Sequence, residues 1–214
     1  MAAGPTSDPV SPDAFVEAVT AWAQRIPRGS REVLAIAGAP GSGKSTLAAR
    51  IEADISDTAI LPMDGYHYDD ELLVPRGDRP RKGAPHTFDV GGYRVMLARL
   101  RANDEDEIAV PRFDRDLEIV RSAARVIPRS VRLIVTEGNW LLLDQPPWSD
   151  LQPLFDRTAF LDVPIEELDR RLRQRWDGYN LTGDALRAKL EDNDLPNARL
   201  AATGSITPHW TVQE

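Results

Sequence analysis

Short apolar runs alternate with segments of helical period along this chain, and the alternation predicts its architecture. The run at 33–37 is continuously apolar, as expected for a strand that is buried on both faces of a sheet. Further strands are predicted at 58–62, 131–136 and 158–163. Because helical segments separate these strands, the pattern favours an α/β fold with a doubly wound, mostly parallel sheet flanked by helices.

The helical segments and the weaker strands complete the predicted order of elements. Helices are predicted at 13–26, 44–55, 90–102, 165–176 and 183–192. Minor strands are predicted at 108–110 and 125–127, a last strand at 209–212, and irregular structure at 65–88, where prolines recur. Residues 1–11 are rich in proline, serine and threonine, so we predict a flexible lead-in before a single domain at 12–214.

Composition narrows the class of protein without indicating an activity. The net charge of −8 over 214 residues argues against a general nucleic-acid binder, which needs a basic surface. There is no cysteine, so a disulfide framework and a thiolate metal site are both excluded. We find neither a signal peptide nor an apolar run of about 20 residues, which predicts a cytoplasmic protein without a membrane segment.

A glycine-rich turn follows the first predicted strand and precedes a predicted helix. Its sequence G-A-P-G-S-G-K-S fits the phosphate-binding pattern G-x-x-x-x-G-K-[ST]. Glycines let backbone amides converge on phosphate oxygens, and the following helix directs the positive end of its dipole at the same anion. Lys44, one of only three lysines among 26 basic residues, would reach the β- and γ-phosphates, and the Ser45 hydroxyl would bind Mg²⁺. The predicted nucleotide-binding residues are Gly38, Ala39, Pro40, Gly41, Ser42, Gly43, Lys44, Ser45 and Thr46.

GTPase switches, motors, ATPases and kinases all share such a loop, so residues outside it must decide among these classes. The N-K-x-D string that is typical of guanine-specific switches is absent. Asp64 follows the predicted strand 58–62 at the edge where open α/β sheets bind ligands, and there it could accept the proton of an attacking hydroxyl. The alternative is an aspartate that only caps a turn. Because Tyr66 and His67 follow at once and could line a polar pocket, we predict that Asp64 is a catalytic base.

Glu137 and Asp162 are alternative partners for the predicted Mg²⁺ ion. Glu137 ends the strand at 131–136, where a carboxylate can bind the ion or its water. Pro164 and a helix follow Asp162 almost immediately, which suits a capping role for that aspartate. We therefore predict Glu137 as the metal contact.

Two arginines lie beside the apolar stripe of the predicted helix at 165–176. Arg171 and Arg175 are four residues apart, so they share one side of the helix. Arginines in such positions can bury their stems and direct their guanidinium groups at transferring phosphates. The alternative, a solvated arginine-rich helix, stays open.

Several strings of the chain resemble those of a known enzyme group. They are M-D-G-Y-H at 63–67, R-K-G-A-P at 81–85 with T-F-D at 87–89, V-P-R-F-D-R at 110–115, E-G-N-W-L-L-L at 137–143 and N-D-L-P-N-A at 193–198. Over residues 31–200 the chain resembles the P-loop kinase group of uridine kinase, pantothenate kinase and phosphoribulokinase. Within that group it is similar to a bacterial branch described as fructose transport system kinases or nucleoside/nucleotide kinase-like proteins.

The resemblance implies a P-loop NTPase fold with a short helical lid at 170–182, and an enzyme that depends on ATP and Mg²⁺. It implies that Asp64 is the base and that Arg171 and Arg175 belong to the lid. It also implies that the segments 65–88 and 110–118 shape the acceptor site. The candidate acceptor contacts are Tyr66, His67, Lys82, Asp114 and Arg115.

Two classes of function follow from these observations. The first is a kinase that transfers the γ-phosphoryl group of ATP to a hydroxyl of a small metabolite, a fructose-like sugar ahead of a uridine-like nucleoside or a pantothenate-like alcohol. The second is a nucleotide-dependent regulatory ATPase or switch. Asp64 and the segment 65–88 supply acceptor-side chemistry that a switch does not need, so we favour the kinase. The basic loop at 76–82 leaves open whether the acceptor is already phosphorylated, and the oligomeric state is open too, a homodimer included.

Overall fold

A five-stranded parallel sheet forms the centre of the protein in a computed structural model that describes residues 8–213. The sheet has the strand order β2-β5-β1-β6-β7, and a separate antiparallel hairpin is formed by β3 and β4. The predicted α/β architecture with a mostly parallel sheet is therefore confirmed. In chain order the helices and strands are α1 (Pro12–Ala23), β1 (Glu32–Gly38), α2 (Lys44–Asp54), β2 (Thr58–Pro62), α3 (Asp70–Arg76), α4 (Val90–Ala102), β3 (Glu107–Asp114), β4 (Ile119–Pro128), β5 (Leu133–Glu137), β6 (Arg157–Leu161), α5 (Ile165–Asp177), α6 (Gly183–Lys189), α7 (Leu195–Gly204) and β7 (Trp210–Val212).

The central strands of the sheet are covered on both faces. All residues of β5 and all but the first of β1 are buried. On one face, Phe15 of α1 and Ile51 of α2 belong to the same core as Leu34. On the other face, Tyr93 of α4 and Trp140 pack into a second core. This burial on both faces explains the continuous apolar runs in the sequence.

Parallel pairing aligns the carboxyl ends of three strands at one edge of the sheet. Ile36 of β1 and Pro62 of β2 both lie opposite Glu137 of β5. The chain leaves β1 at Gly38, which has a φ of +153°, and a Cβ there would lie 2.8 Å from Ser42 Oγ. Only glycine fits this turn, because a side chain would collide with the loop that it opens.

The β3–β4 hairpin is longer than the minor strands predicted at 108–110 and 125–127. The two strands have 8 and 10 residues. Among their residues Ile108, Val110 and Ile127 are buried, and most of the others are exposed or half-buried. Apolar patterning therefore indicated only the end of the hairpin that packs on the core, whereas backbone pairing holds the remainder.

Two helical segments also differ from the prediction. The stretch 65–88, predicted to be irregular, contains α3, which is too short for a periodic pattern and includes Pro75. The helix predicted at 183–192 continues as α6, a π-helical turn at Leu190–Asp194 and α7. Pro196 lies just after the π-helical turn and has no amide to donate, so the helical hydrogen bonding is interrupted at this point. No helix within residues 8–213 combines the length and apolar character that are needed to cross a membrane.

Residues 10 and 11, which we predicted to belong to a flexible lead-in, are attached to the fold by hydrogen bonds. The Val10 amide donates to Thr211 O at 2.9 Å, and Val10 O accepts from the Gln213 amide at 3.0 Å. Ser11 Oγ accepts from the Ala14 amide at 3.2 Å and so caps α1. Residues 10 and 11 are therefore structured beside β7, while residues 1–7 lie outside the described residues.

Trp140 attaches the loop after Lys82 to the core, since its ring is fully buried and its Nε1 donates to Gly83 O at 2.9 Å. We expect Trp140→Ala to lower the free energy of unfolding by about 3–5 kcal/mol, because a large buried ring is lost. Trp140→Phe keeps most of the ring and removes the donor, so we expect a smaller loss of about 1–3 kcal/mol. Denaturant unfolding measures both losses, and equal losses for the two variants would contradict this account of the packing.

Candidate active site

The sheet edge where β1, β2 and β5 end borders a cavity of about 380 Å³, which we call the main cavity. Lys44 at the start of α2, Asp64 in the short turn after β2, and Glu137 at the end of β5 all line it. The β3–β4 hairpin and α5 contribute further wall residues. The phosphate loop, the predicted base and the predicted metal contact therefore share one space.

The glycine-rich loop has the backbone geometry of an anion site. Gly43 adopts a left-handed φ of +95°, and α2 begins at Lys44 with no side-chain cap. Within residues 8–213 the amides of Gly43, Lys44 and Ser45 donate to no protein acceptor. Unpaired amides at the positive end of a helix bind phosphate oxygens, so the loop fits the phosphates of ATP.

Lys44 is the charged side chain of this loop. Its Nζ donates to Ala39 O at 2.8 Å and lies 3.4 Å from Ser42 Oγ. Burial lowers the pKa of Lys44 to about 8, although the negative charges of Glu137 and Asp64 favour its ammonium form. The loop thus holds a buried cation next to its unpaired amides.

Asp64 is paired with a residue of the hairpin. Arg115 Nη2 donates to Asp64 Oδ2 at 2.6 Å. Burial alone would raise the pKa of this carboxyl, but the positive charges of His67, Arg115 and Lys44 together lower it below its ordinary value. Burial also lowers the pKa of His67, so at neutral pH the arginine and the lysine supply that charge. Asp64 is therefore an ionised carboxylate, the form that can accept a proton.

Ser45 and Glu137, the predicted metal contacts, both line the main cavity. Burial together with the charge of Asp64 raises the pKa of Glu137. A hydroxyl beside carboxylates is a ligand set that Mg²⁺ accepts together with phosphate oxygens and water, so the residues fit this ion. Asp162, the alternative, accepts from Gln213 Nε2 at 2.8 Å and does not line the main cavity.

The two predicted lid arginines lie on the side of α5 that faces the phosphate loop. Leu172 Cγ lies 3.3 Å from the position that a Cβ on Gly41 would occupy, so α5 packs directly on the loop. Arg171 Nη1 lies 3.9 Å from the corresponding position at Gly43. Arg171 and Arg175 both line the main cavity, and burial lowers the pKa of Arg175. The geometry favours a phosphate-facing role for Arg171 over a solvated helix, and the role of Arg175 stays a prediction.

Two predicted acceptor contacts, His67 and Lys82, also line the main cavity. The His67 ring lies between Phe88 and Phe113, with centroid distances of 4.1 Å and 4.6 Å. Lys82 is buried, and its Nζ donates to Asp70 Oδ1 at 2.7 Å. Packing and hydrogen bonding therefore fix both side chains before any acceptor binds.

Two other predicted acceptor contacts, Tyr66 and Asp114, do not line the main cavity. Tyr66 points into the core, where its ring packs against Tyr93 at 4.8 Å, because the short turn after β2 presents that side to the sheet. Asp114 accepts from Arg121 Nε at 2.7 Å and from the Leu117 amide at 3.1 Å. Its carboxylate thus stabilises the hairpin turn. Asp114 also lines a second cavity of about 1030 Å³ together with Ser45, Asp64 and Glu137. An acceptor contact therefore stays a prediction for Asp114, whereas the buried position of Tyr66 does not support one there.

Neighbouring groups form hydrogen bonds with three of the cations in the basic loop at 76–82. Arg79 Nε donates to Asp70 Oδ2 at 2.6 Å, and Lys82 contacts the other oxygen of the same carboxylate. Arg81 Nη2 lies 3.4 Å from Asn197 Oδ1. The loop therefore gives no evidence by itself for a phosphorylated acceptor.

Among the residues of the main cavity that were not predicted as site residues, five lie between positions 176 and 197. Three of these five are buried polar side chains from the π-helical turn and the first turn of α7. The string N-D-L-P-N-A and the rarity of lysine were the only sequence signals, and neither indicates a position in space. The five residues are Trp176, Lys189, Asn193, Asp194 and Asn197.

Similarity to known proteins supports a kinase. No protein-family model matches the chain. It is 33% identical over 200 residues to a Schizosaccharomyces pombe protein provisionally named a uridine kinase, with 86% of this chain and 83% of the relative covered. It is 28% identical over 218 residues to the ATP-dependent kinase YFH7 of Lachancea thermotolerans, with 79% of this chain and 61% of the relative covered. A solved structure from Silicibacter sp. TM1040, provisionally described as a fructose transport system kinase, has a TM-score of 0.86 and 37% identity over 94% of this chain and 98% of that one.

These similarities extend over most of the chain and agree with the geometry of the main cavity. The protein is a phosphotransferase that uses ATP with Mg²⁺ and a hydroxyl acceptor, which excludes a bare regulatory switch as its description. Its relatives are small-molecule kinases, so its acceptor is a small molecule. The chain belongs to the P-loop kinase group of uridine kinase, pantothenate kinase and phosphoribulokinase.

Proposed function

We propose that this kinase phosphorylates a hydroxyl of a fructose-like sugar and that Asp64 is its general base. The supporting observation is the ionised Asp64 carboxylate in the same cavity as Lys44 and the unpaired amides of the phosphate loop. An acceptor hydroxyl beside Asp64 would face the terminal phosphate held by the loop. This arrangement suits in-line transfer, in which positioning and charge stabilisation supply most of the catalysis.

Each residue would have one task in the transfer. Asp64 would accept the proton of the acceptor hydroxyl while that oxygen bonds to the γ-phosphorus and the bond to the ADP oxygen breaks. Lys44 and Arg171 would bind the phosphate oxygens and stabilise the charge that develops on them. Arg115, which donates to Asp64 at 2.6 Å, would orient the carboxylate toward the acceptor.

The acceptor would lie against the wall formed by His67, Lys82 and Arg115. These polar side chains are already fixed, which suits a small molecule with several hydroxyl groups. The Silicibacter structure, whose description refers to a fructose transport system, supports a sugar. A nucleoside or a pantothenate-like alcohol is the alternative acceptor, in line with the other members of the group.

Release of ADP tests this proposal directly. With Mg²⁺ and ATP present, we expect ADP formation to depend on one class of acceptor in a panel of fructose, uridine and pantothenate. A rate that is the same with and without every acceptor would contradict the proposal, because such a rate reports hydrolysis alone.

Asp64→Asn tests the base. We expect the variant to lower kcat by about 10²–10⁴-fold, because an amide cannot accept the proton, while the KM for ATP changes little. The matched control is Asp69→Asn at the exposed N-cap of α3, where asparagine caps as well as aspartate. If both variants retain the wild-type kcat, Asp64 is not the base.

Glu137→Gln tests the metal contact. Bound Mg²⁺ supplies positive charge to the β- and γ-phosphate oxygens, and Ser45 and Glu137 would hold it. We expect the Mg²⁺ concentration for half-maximal activity to rise by about 10–100-fold in this variant. Asp162→Asn, outside the main cavity, should leave that concentration unchanged. The opposite pattern would assign the metal contact to Asp162.

A further inference from the structure

Two cations of the main cavity have no carboxylate partner. Arg175 and Lys189 form no ion pair within residues 8–213, although both are more buried than exposed. They lie on the ring of Trp176, with Arg175 Cζ at 5.7 Å and Lys189 Nζ at 5.0 Å from its centroid. A cation withdrawn from water without a partner is destabilising, so the pair is suited to an anion from outside the chain.

Asp194, the acidic residue whose charge acts most strongly on Lys189, is already engaged by other donors. Its Oδ2 accepts from Trp176 Nε1 at 2.6 Å, and its Oδ1 lies 3.3 Å from Asn193 Nδ2. Asp194 is also buried, and burial raises its pKa. It therefore fixes the Trp176 ring between the two cations and does not pair with either of them.

The other cations at this end of the cavity differ in having local partners. Arg79 pairs with Asp70 at 2.6 Å, and Arg115 pairs with Asp64 at 2.6 Å. The positive charge that is left over is thus concentrated at Arg175 and Lys189, beside one aromatic ring.

An adjoining cavity of about 320 Å³ opens at the end of the main cavity that holds Lys189. Arg175, Trp176 and Lys189 line both cavities, and neither Lys44 nor Asp64 lines this adjoining one. Since Lys44 and the loop amides would bind the phosphates of ATP, an anion at this end would belong to another molecule.

We propose that the acceptor itself carries an anionic group, a phosphate or a carboxylate, and that Arg175 and Lys189 bind this group. The inference rests on the proposed function, since it places the reactive hydroxyl of the same molecule at Asp64. Guanidinium and ammonium groups together bind either anion, the former by paired hydrogen bonds and the latter as a point charge. The acceptor is then a sugar phosphate or a hydroxy acid, and a neutral sugar is a poor substrate.

Lys189→Ala is the informative variant, with Lys189→Arg as the conservative replacement. The matched control is Arg187→Ala on the same helix, because Arg187 is exposed and paired with Asp184 at 2.8 Å. The first measurement is a tryptophan-fluorescence titration with inorganic phosphate or acetate, in the presence of Mg²⁺ and a non-hydrolysable ATP analogue.

We expect saturable binding of phosphate or acetate to the wild type, and about 10–100-fold weaker binding to Lys189→Ala, from the loss of one charged hydrogen bond. Lys189→Arg and Arg187→Ala should bind like the wild type. Whichever of phosphate and acetate binds more tightly shows whether the site prefers a phosphate or a carboxylate group. Absence of saturable binding, or equal binding by Lys189→Ala, would overturn the anion site.

The second measurement compares turnover of matched acceptors that differ in one anionic group. The pairs are fructose 6-phosphate with fructose, pantothenate with pantothenol, and glycerate with glycerol. We expect an anionic member to have a kcat/KM at least about 10-fold above that of its neutral partner, and Lys189→Ala to raise its KM without changing the KM for ATP.

The two measurements separate the failure of this inference from the failure of the proposed function. Better turnover of a neutral partner would overturn the anionic acceptor while the kinase stands. Anion binding that depends on Lys189, without turnover of any acceptor, would overturn the proposed function and the acceptor assignment while the anion site stands.

Discussion

Parallel pairing of β1 with β5 and of β5 with β2 is the constraint on which the rest of the structure depends. It brings Ile36, Pro62 and Glu137 level with one another at one edge of the sheet. The phosphate loop follows β1 directly and Asp64 follows β2, so this pairing places both of them beside Glu137. A shift of either strand would separate Asp64 from the phosphate loop, and the two would no longer line one cavity.

Burial at this edge also sets the charge states of the site. Asp64 and Glu137 lie close enough to influence each other, yet their pKa values are shifted in opposite directions. Cations surround Asp64 and keep it ionised, whereas burial and its acidic neighbour disfavour the charge on Glu137. Two carboxylates in different environments can have different roles, so that one can accept a proton and the other can bind a metal ion. The low polarity of this buried edge would also strengthen the attraction of Lys44 and the arginines for a bound phosphate.

The acceptor side is assembled from segments that are far apart in the chain. The hairpin contributes Arg115, the segment between β2 and α4 contributes His67 and Lys82, and the region around α6 contributes Lys189. Indole hydrogen bonds attach two of these segments to the rest of the fold, since Trp176 donates to Asp194 and Trp140 donates to Gly83. A wall of this kind can change its selectivity without disturbing the phosphate loop, and this fits a group of related kinases with different acceptors.

The sequence by itself determined the sheet, the phosphate loop and the position of Asp64, because local patterns specify them. Apolar runs indicated the buried strands, and the glycine-rich string needs only its own backbone to bind an anion. Only the tertiary structure decided that Tyr66 faces the core, that Asp114 stabilises a turn, and that Lys189 enters the cavity. Each of these outcomes depends on contacts between residues distant in the chain, and no local pattern reports such contacts.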